Sequence, residues 1–266
     1  NMALHLGGIC GFMQSYAPDY TASISYCRVD GTLSSSGDYP LYNVGGIAGA
    51  SFGASAAVAA SVYNCSFNGE ISGKIQNAGG IVGYLREKSS LANCYVSGKI
   101  SALINQKESI AGAICGRADN ETSATHCVSA AKLTCAFSSG TEGEKSEVCG
   151  LVFNDAQMGV DSRKAVVKNV YNAESGSFDQ NGTSYDLKNL GKVCELAGWN
   201  KADWQTDNGK IVPLYDETAE QSIHARFIFG TEVTKSDKDG KPLTLTEDTV
   251  TANGVLPVYV VYDGTG

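Results

Sequence analysis

Through about residue 175, apolar side chains alternate with polar ones rather than recurring at helical spacing. Cys65 and Phe67 flank Ser66, and past a glycine turn Ile71 continues the set. That is the period of a strand with one buried face. The runs are short, and Gly and Asn close each of them. Such punctuation leaves no room for helices of ten or more residues. The pattern predicts many short strands separated by tight turns.

Two phrases recur along this stretch. The first reads Leu6-Gly7-Gly8-Ile9-Cys10-Gly11 and returns as Val44-Gly45-Gly46-Ile47-Ala48-Gly49 and Ala78-Gly79-Gly80-Ile81-Val82-Gly83. Weaker copies are Ala111-Gly112-Ala113-Ile114-Cys115-Gly116 and Val148-Cys149-Gly150-Leu151-Val152-Phe153. The second phrase reads Tyr26-Cys27-Arg28-Val29-Asp30-Gly31-Thr32-Leu33. It recurs from Asn64-Cys65, Asn93-Cys94 and His126-Cys127, with a trace at Asn169-Val170. The first-glycine slot falls at positions 7, 45, 79, 112 and 149, so the units are 33–38 residues long. Each unit is too small to bury its own apolar face. Stacked units would share one core. The fold expected is all-β: a parallel β-helix, or β-solenoid, of about five coils. The Gly-Gly step serves either a positive φ or the close approach of one coil to the next. A phosphate-binding glycine loop is excluded because no helix signal follows any copy.

These repeats resemble the GLUG-motif family, on the strength of Gly7-Gly8-Ile9-Cys10-Gly11, Gly45-Gly46-Ile47-Ala48-Gly49 and Gly79-Gly80-Ile81-Val82-Gly83, over about residues 1–175. The resemblance implies bacterial surface or secreted proteins, often adhesion-related. Similar repeats also accompany immunoglobulin-A-cleaving peptidases as non-catalytic parts. The resemblance brings no catalytic residue.

Past residue 175 the period changes. Leu187, Leu190, Val193, Cys194 and Ala197 fall on one helical face, and Gly198 suits the helix end. Trp199 and Trp204 follow, then an Asn208-Gly209 turn and Pro213-Leu214. A Trp followed by such a segment resembles the closing segment seen after these repeats. An open solenoid end exposes strand edges and core, so this helical and Trp segment is expected to cap it. The alternative is a Trp platform for carbohydrate. Residues 216–222 read as a polar linker, and 223–262 as strands with a turn at 237–240. The organisation expected is repeats over 1–178, a capping segment over 179–218 and a C-terminal β segment over 219–266.

Composition narrows the function. Charged residues are 18%, hydrophobic ones 42%, and the net charge is −8. A disordered chain is excluded. Nucleic acid is excluded as a partner, because no basic cluster exists to neutralise phosphates. No apolar stretch is long enough to span a bilayer as a helix. Membrane contact would need an anchor outside this chain, and a signal and further domain are expected upstream of Asn1. The location expected is extracellular or the bacterial cell surface.

Nine cysteines is an odd number, which rules out complete pairing. Cys27, Cys65, Cys94 and Cys127 share a slot that Val170 fills in the fifth unit. A slot that accepts Val wants a small apolar side chain, and reduced, inward-facing thiols are expected. Cys10 and Cys115 share theirs with Ala48, Val82 and Val152. No metal and no cofactor is expected, since a flat ladder cannot make the tetrahedron of zinc.

The sequence offers no catalytic constellation at a known spacing. The three histidines make no HExxH. His126 occupies the slot of Asn64, Asn93 and Asn169, which reads as a polar ladder. Glycosidase or lyase action needs clustered carboxylates. The aligned slots instead read Thr32, Glu70, Lys99, Lys132 and Asp30, Asn68, Ser97, Ala130. A Glu70–Lys99 cross-strand pair is expected. The chain is therefore read as a non-enzyme, a monomer for structural display or adhesion to a host protein or glycan. The alternative is a carbohydrate-active β-helix enzyme. From first-phrase aliphatic to second-phrase cysteine slot the gaps are 18, 18, 13, 13 and 19 residues. Loops therefore protrude from units one, two and five, where binding sites on repeats tend to lie. Tyr16, Asp19 and Tyr20 in the first loop are the ligand-binding candidates: two rings and an acceptor suited to a sugar.

Overall fold

The computed structural model describes residues 5–15, 21–35, 41–53, 59–104, 110–119, 121–137, 152–154, 166–172 and 187–214. Two compact units divide the chain, Asn1–Tyr215 and Asp216–Gly266. The expected C-terminal strands of 219–266 and the turn at 237–240 lie outside the described residues.

The described part of the first unit is almost entirely β. Its strands form an eleven-stranded sheet, a five-stranded sheet and a two-stranded hairpin. Every strand pairing in the two large sheets is parallel. Like elements of successive units pair with each other. In the first family β1 (His5–Gly7) lies on β5 (Leu41–Gly45), then the end of β8 (Ser66–Gly79), then β12 (Ile110–Gly112). Gly7, Gly45, Gly79 and Gly112 stand in register. The second family is β2 (Cys10–Gln14), β6 (Ala48–Phe52), β9 (Val82–Arg86), β13 (Cys115–Ala118) and β15 (Val152–Asn154). The third is β3 (Ser23–Ser25), β7 (Ser61–Tyr63), β10 (Ser90–Ala92), the start of β14 (Ser123–Phe137) and the start of β16 (Val166–Asn172). In the fourth, β4 (Arg28–Ser35) pairs with the start of β8, which pairs with β11 (Tyr95–Ile104), which pairs with β14.

The core consists of columns, each built from one slot of the repeat. Ile47, Ile81 and Ile114 are fully buried, as are Cys65, Cys94 and Cys127. Ile71 and Ile100 stack in register, as do Val62 and Leu91. The predicted slot exchanges hold: Cys115 faces Val152, and Cys127 faces Val170. The Gly-Gly step is explained by close approach. At Gly46 and Gly80 the backbone does not need a positive φ, but a Cβ would collide with a carbonyl of the next unit and with Phe67 or Val96.

A different device serves the residue before each cysteine. Tyr26, Asn64, Asn93 and His126 all have φ of 50–53°. By residue type the slot reads as a polar ladder. It is a left-handed turn, which Asn tolerates better than most residues because its side chain can bond locally.

The segment 187–214 forms helix α1 (Leu190–Ala197), a short 3-10 turn (Lys201–Asp203) and the antiparallel hairpin β17 (Trp204–Asp207) and β18 (Lys210–Pro213). The Asn189 side chain accepts from Lys192 N–H and starts the helix, and Gly198 at φ 71° ends it. The helix is shorter than the apolar pattern suggested because Asn189 caps it one turn later. Asn208 and Gly209, both at positive φ, make the hairpin turn.

The described contacts of this segment run along the outer face of the fourth family, like a clasp. Tyr95 and Val128, on outward positions of β11 and β14, pack with Leu187, Val193, Cys194, Ala197, Trp199, Trp204 and Ile211. Tyr95 donates to the Leu187 carbonyl at 2.9 Å, and Trp199 Nε1 donates to the His126 carbonyl at 2.7 Å. Far down the face, Arg28 pairs with Asp207, and Lys210 with Asp30 at 3.5 Å. The physical reason is that Tyr95 and Val128 make an apolar outer patch where unit one has Arg28 and unit two Ser66.

Candidate functional site

The outer face of the second family carries the densest cluster of partly exposed aromatic rings among the described residues. Strand alternation turns Phe12, Ala50, Tyr84 and Arg117 outward at one level, where they are in register. Two residues on, Gln14, Phe52 and Arg86 share the next level. Ala50 is small, so the larger rings close over it. Phe12 meets Phe52 edge-on at 5.0 Å between centroids, and Phe52 meets Tyr84 edge-on at 5.5 Å. Such geometry suits the ring quadrupoles. The Arg86 guanidinium lies 5.6 Å from the Phe52 centroid, and that of Arg117 5.3 Å from Tyr84. Both distances lie within cation–π range.

The strip has polar borders. Tyr84 Oη donates to Asp119 Oδ2 at 2.5 Å. Burial first, and then this bond, push the phenol well above its usual range, so Tyr84 stays a neutral donor. Arg86 Nε lies 3.1 Å from Glu87. At the unit-one end His5 approaches Phe12, with ring centroids 5.3 Å apart. His5 Nδ1 accepts from the Asn43 amide at 2.8 Å, and Asn43 Oδ1 accepts from Asn77 at 2.7 Å. Burial lowers the His5 pKa, so the ring remains a neutral acceptor near pH 7. Phe12 is 40% exposed, and Phe52 and Tyr84 are half-buried. The result is a run of ring edges and guanidinium planes across four units. It can grip the apolar face of a sugar or a planar side chain and hydrogen-bond carboxylates or hydroxyls beside it.

Tyr16, Asp19 and Tyr20 lie outside the described residues. The long loops of units one, two and five fall there in large part. Phe12 and Tyr84 were missed by the sequence reading, although both follow the last glycine of the first phrase directly. Aligning that slot exposes the column. Phe52 is harder to find, because it stands two residues further on.

The other outward columns fall in the expected register. Lys99 Nζ is 3.6 Å from Glu70. Both are well exposed, so the pair is worth about 0–1 kcal/mol. Asp30 aligns with Asn68, and Asn68 with Ser97, whose hydroxyl donates to it at 2.7 Å. Desolvation opposes ionisation of Asp30, but Arg28 and Lys210 outweigh it and lower its pKa. Trp199 and Trp204 do not form an open platform. They stack on one another at 4.2 Å and 11°, and both are buried.

Among the described residues no group of three or more His, Cys, Asp or Glu side chains is placed to hold a metal ion. No described helix is long and apolar enough to cross a membrane.

Parallel pairing between successive units, one slot per column, defines a β-rich repeat protein. Residues 76–101 match the model of the GLUG motif, consistent with a GLUG-motif repeat family. That stretch holds one first phrase, at Gly79-Gly80-Ile81, and one second phrase, at Asn93-Cys94. No curated protein and no solved structure matches the chain.

Proposed function

We propose that this protein is a non-catalytic display and adhesion module, secreted or held at a bacterial cell surface, which presents a rigid lateral face to a glycan or host-protein ligand. Its strands are read as a parallel β-helix of about five coils. Support for that reading comes from the four strand families and from β15 and β16, which extend two of them into a fifth unit. The observation that carries the function is the Phe12–Phe52–Tyr84 strip with Arg86 and Arg117 over its rings. A stack of paired strands fixes outward side chains in place before a ligand arrives, which lowers the ordering cost of binding. Tyr16, Asp19 and Tyr20 are kept as the ligand contacts proposed from the sequence.

Glycan-array binding, run beside polysaccharide hydrolase and lyase assays, tests the reading. Binding is expected without turnover. For a ligand so found, Phe12→Ala with Tyr84→Ala should weaken affinity by about 1–3 kcal/mol, and Tyr16→Ala with Tyr20→Ala by a smaller amount. Polysaccharide turnover by the purified chain, abolished by changing one acidic residue, would overturn it.

A further inference from the structure

The cysteine column has no part in the surface just described. Ser25 faces Tyr63 and Arg28 faces Ser66, which puts Cys27 and Cys65 level with each other. The same registers carry the column on through Cys94 to Cys127. Each thiol donates to the carbonyl two residues earlier, those of Ser25, Tyr63, Ala92 and Thr125, at 3.2–3.3 Å. One conformation repeated four times sets the sulfurs in a row, and all four are free thiols. Cys65, Cys94 and Cys127 are fully buried, whereas Cys27, in the first unit, is only half-buried. Of the four, Cys27 alone keeps exposed surface.

We propose that Cys27 and Cys65 bind one soft monovalent cation, Cu(I) or its analogue Ag(I), in linear two-coordinate geometry between their sulfurs. Paired strands lie ~4.8 Å apart. Two metal–thiolate bonds of about 2.3 Å laid end to end span about 4.6 Å, so the ladder spacing accepts a linear S–metal–S bridge without moving the backbone. A disulfide needs the sulfurs ~2.05 Å apart with a crossed torsion, which parallel side chains do not offer. A tetrahedral ion finds no third and fourth ligand. Soft thiolates favour Cu(I) among the biological metals.

Binding breaks both S–H bonds and forms two metal–sulfur bonds. Two protons leave to solvent and no electron moves. The site carries one net negative charge, and the Cys94 S–H stays bonded to the Ala92 carbonyl. Because protons are released, affinity falls as pH falls.

The test is anaerobic competition of the reduced full chain against a colorimetric Cu(I) chelator. One equivalent should be captured, with a near-ultraviolet thiolate-to-metal absorption band and the loss of two titratable thiols. Cys65→Val copies the fifth unit's own solution and should cut capture at least tenfold with the thermal melt retained. Cys27→Val, at the half-buried end, should do the same and decides the matter if Cys65→Val fails to fold. Cys10→Ala, which copies unit two in another column, should capture as the parent does. No capture by the parent, undiminished capture by Cys27→Val, or loss in Cys10→Ala would each overturn the site.

Discussion

Tyr26, Asn64, Asn93 and His126 differ in size and chemistry yet share one backbone conformation. The demand at that slot is on φ, and the side chain only has to tolerate it. A left-handed residue other than Gly or Asn costs roughly 1–2 kcal/mol. Asn93→Ala should therefore lower stability by about 1 kcal/mol, while Asn93→Gly should change it by only a few tenths, because glycine adopts the conformation freely but loses more entropy. Chemical denaturation of the two variants checks this. Equal losses for both would mean that the Asn93 side chain, not its backbone, matters. Sequence alone shows three Asn at this position and suggests hydrogen-bonded amides. A left-handed turn draws on the same residue type, and residue type does not distinguish the two. The cysteine slot is more legible, because its exchange with Val170 separates packing from pairing chemistry.

The clasp is the element least legible in the sequence. Its helix could be read from Leu190, Val193, Cys194 and Ala197, and its end from Gly198. Its docking place could not. Alternation marks Tyr95 and Val128 as outward, but an outward side chain may be wet or covered, and the period is the same for both. Only their size against Arg28 and Ser66 at the same register hints at a lid. The stacked indoles hold the clasp together, so Trp204→Ala should cost about 3–5 kcal/mol, the range for removing a buried large aromatic. Arg28→Ala, which removes a half-exposed ion pair, should cost about 0–1 kcal/mol. Thermal melting of the two variants gives the comparison. Similar small losses would show that the indole stack is dispensable. The repeat strands were legible because the same slots return five times. The outer strip was half legible, since Phe12 and Tyr84 share a slot that Phe52 does not.

Among the described residues of the first unit, successive repeats touch mainly their neighbours, as in other stacked architectures. The clasp breaks that locality. Its helix packs on β14 and β16, its hairpin on β8 and β11, and Asp207 reaches Arg28, 179 residues away in sequence. Deleting 187–215 should leave the repeats free to open one after another, turning a single melting transition into a broad or stepped one that starts at a lower temperature. Calorimetry of the truncated chain checks this, and an unchanged sharp transition would count against the clasp. The same long-range tie has a mechanical side. A load that peels the first unit from the second would otherwise meet one row of backbone hydrogen bonds at a time, like a zip. With the clasp seated, the load is shared with a hairpin seated on β8 and β11 and with a helix seated on β14 and β16, and the stack yields as a block.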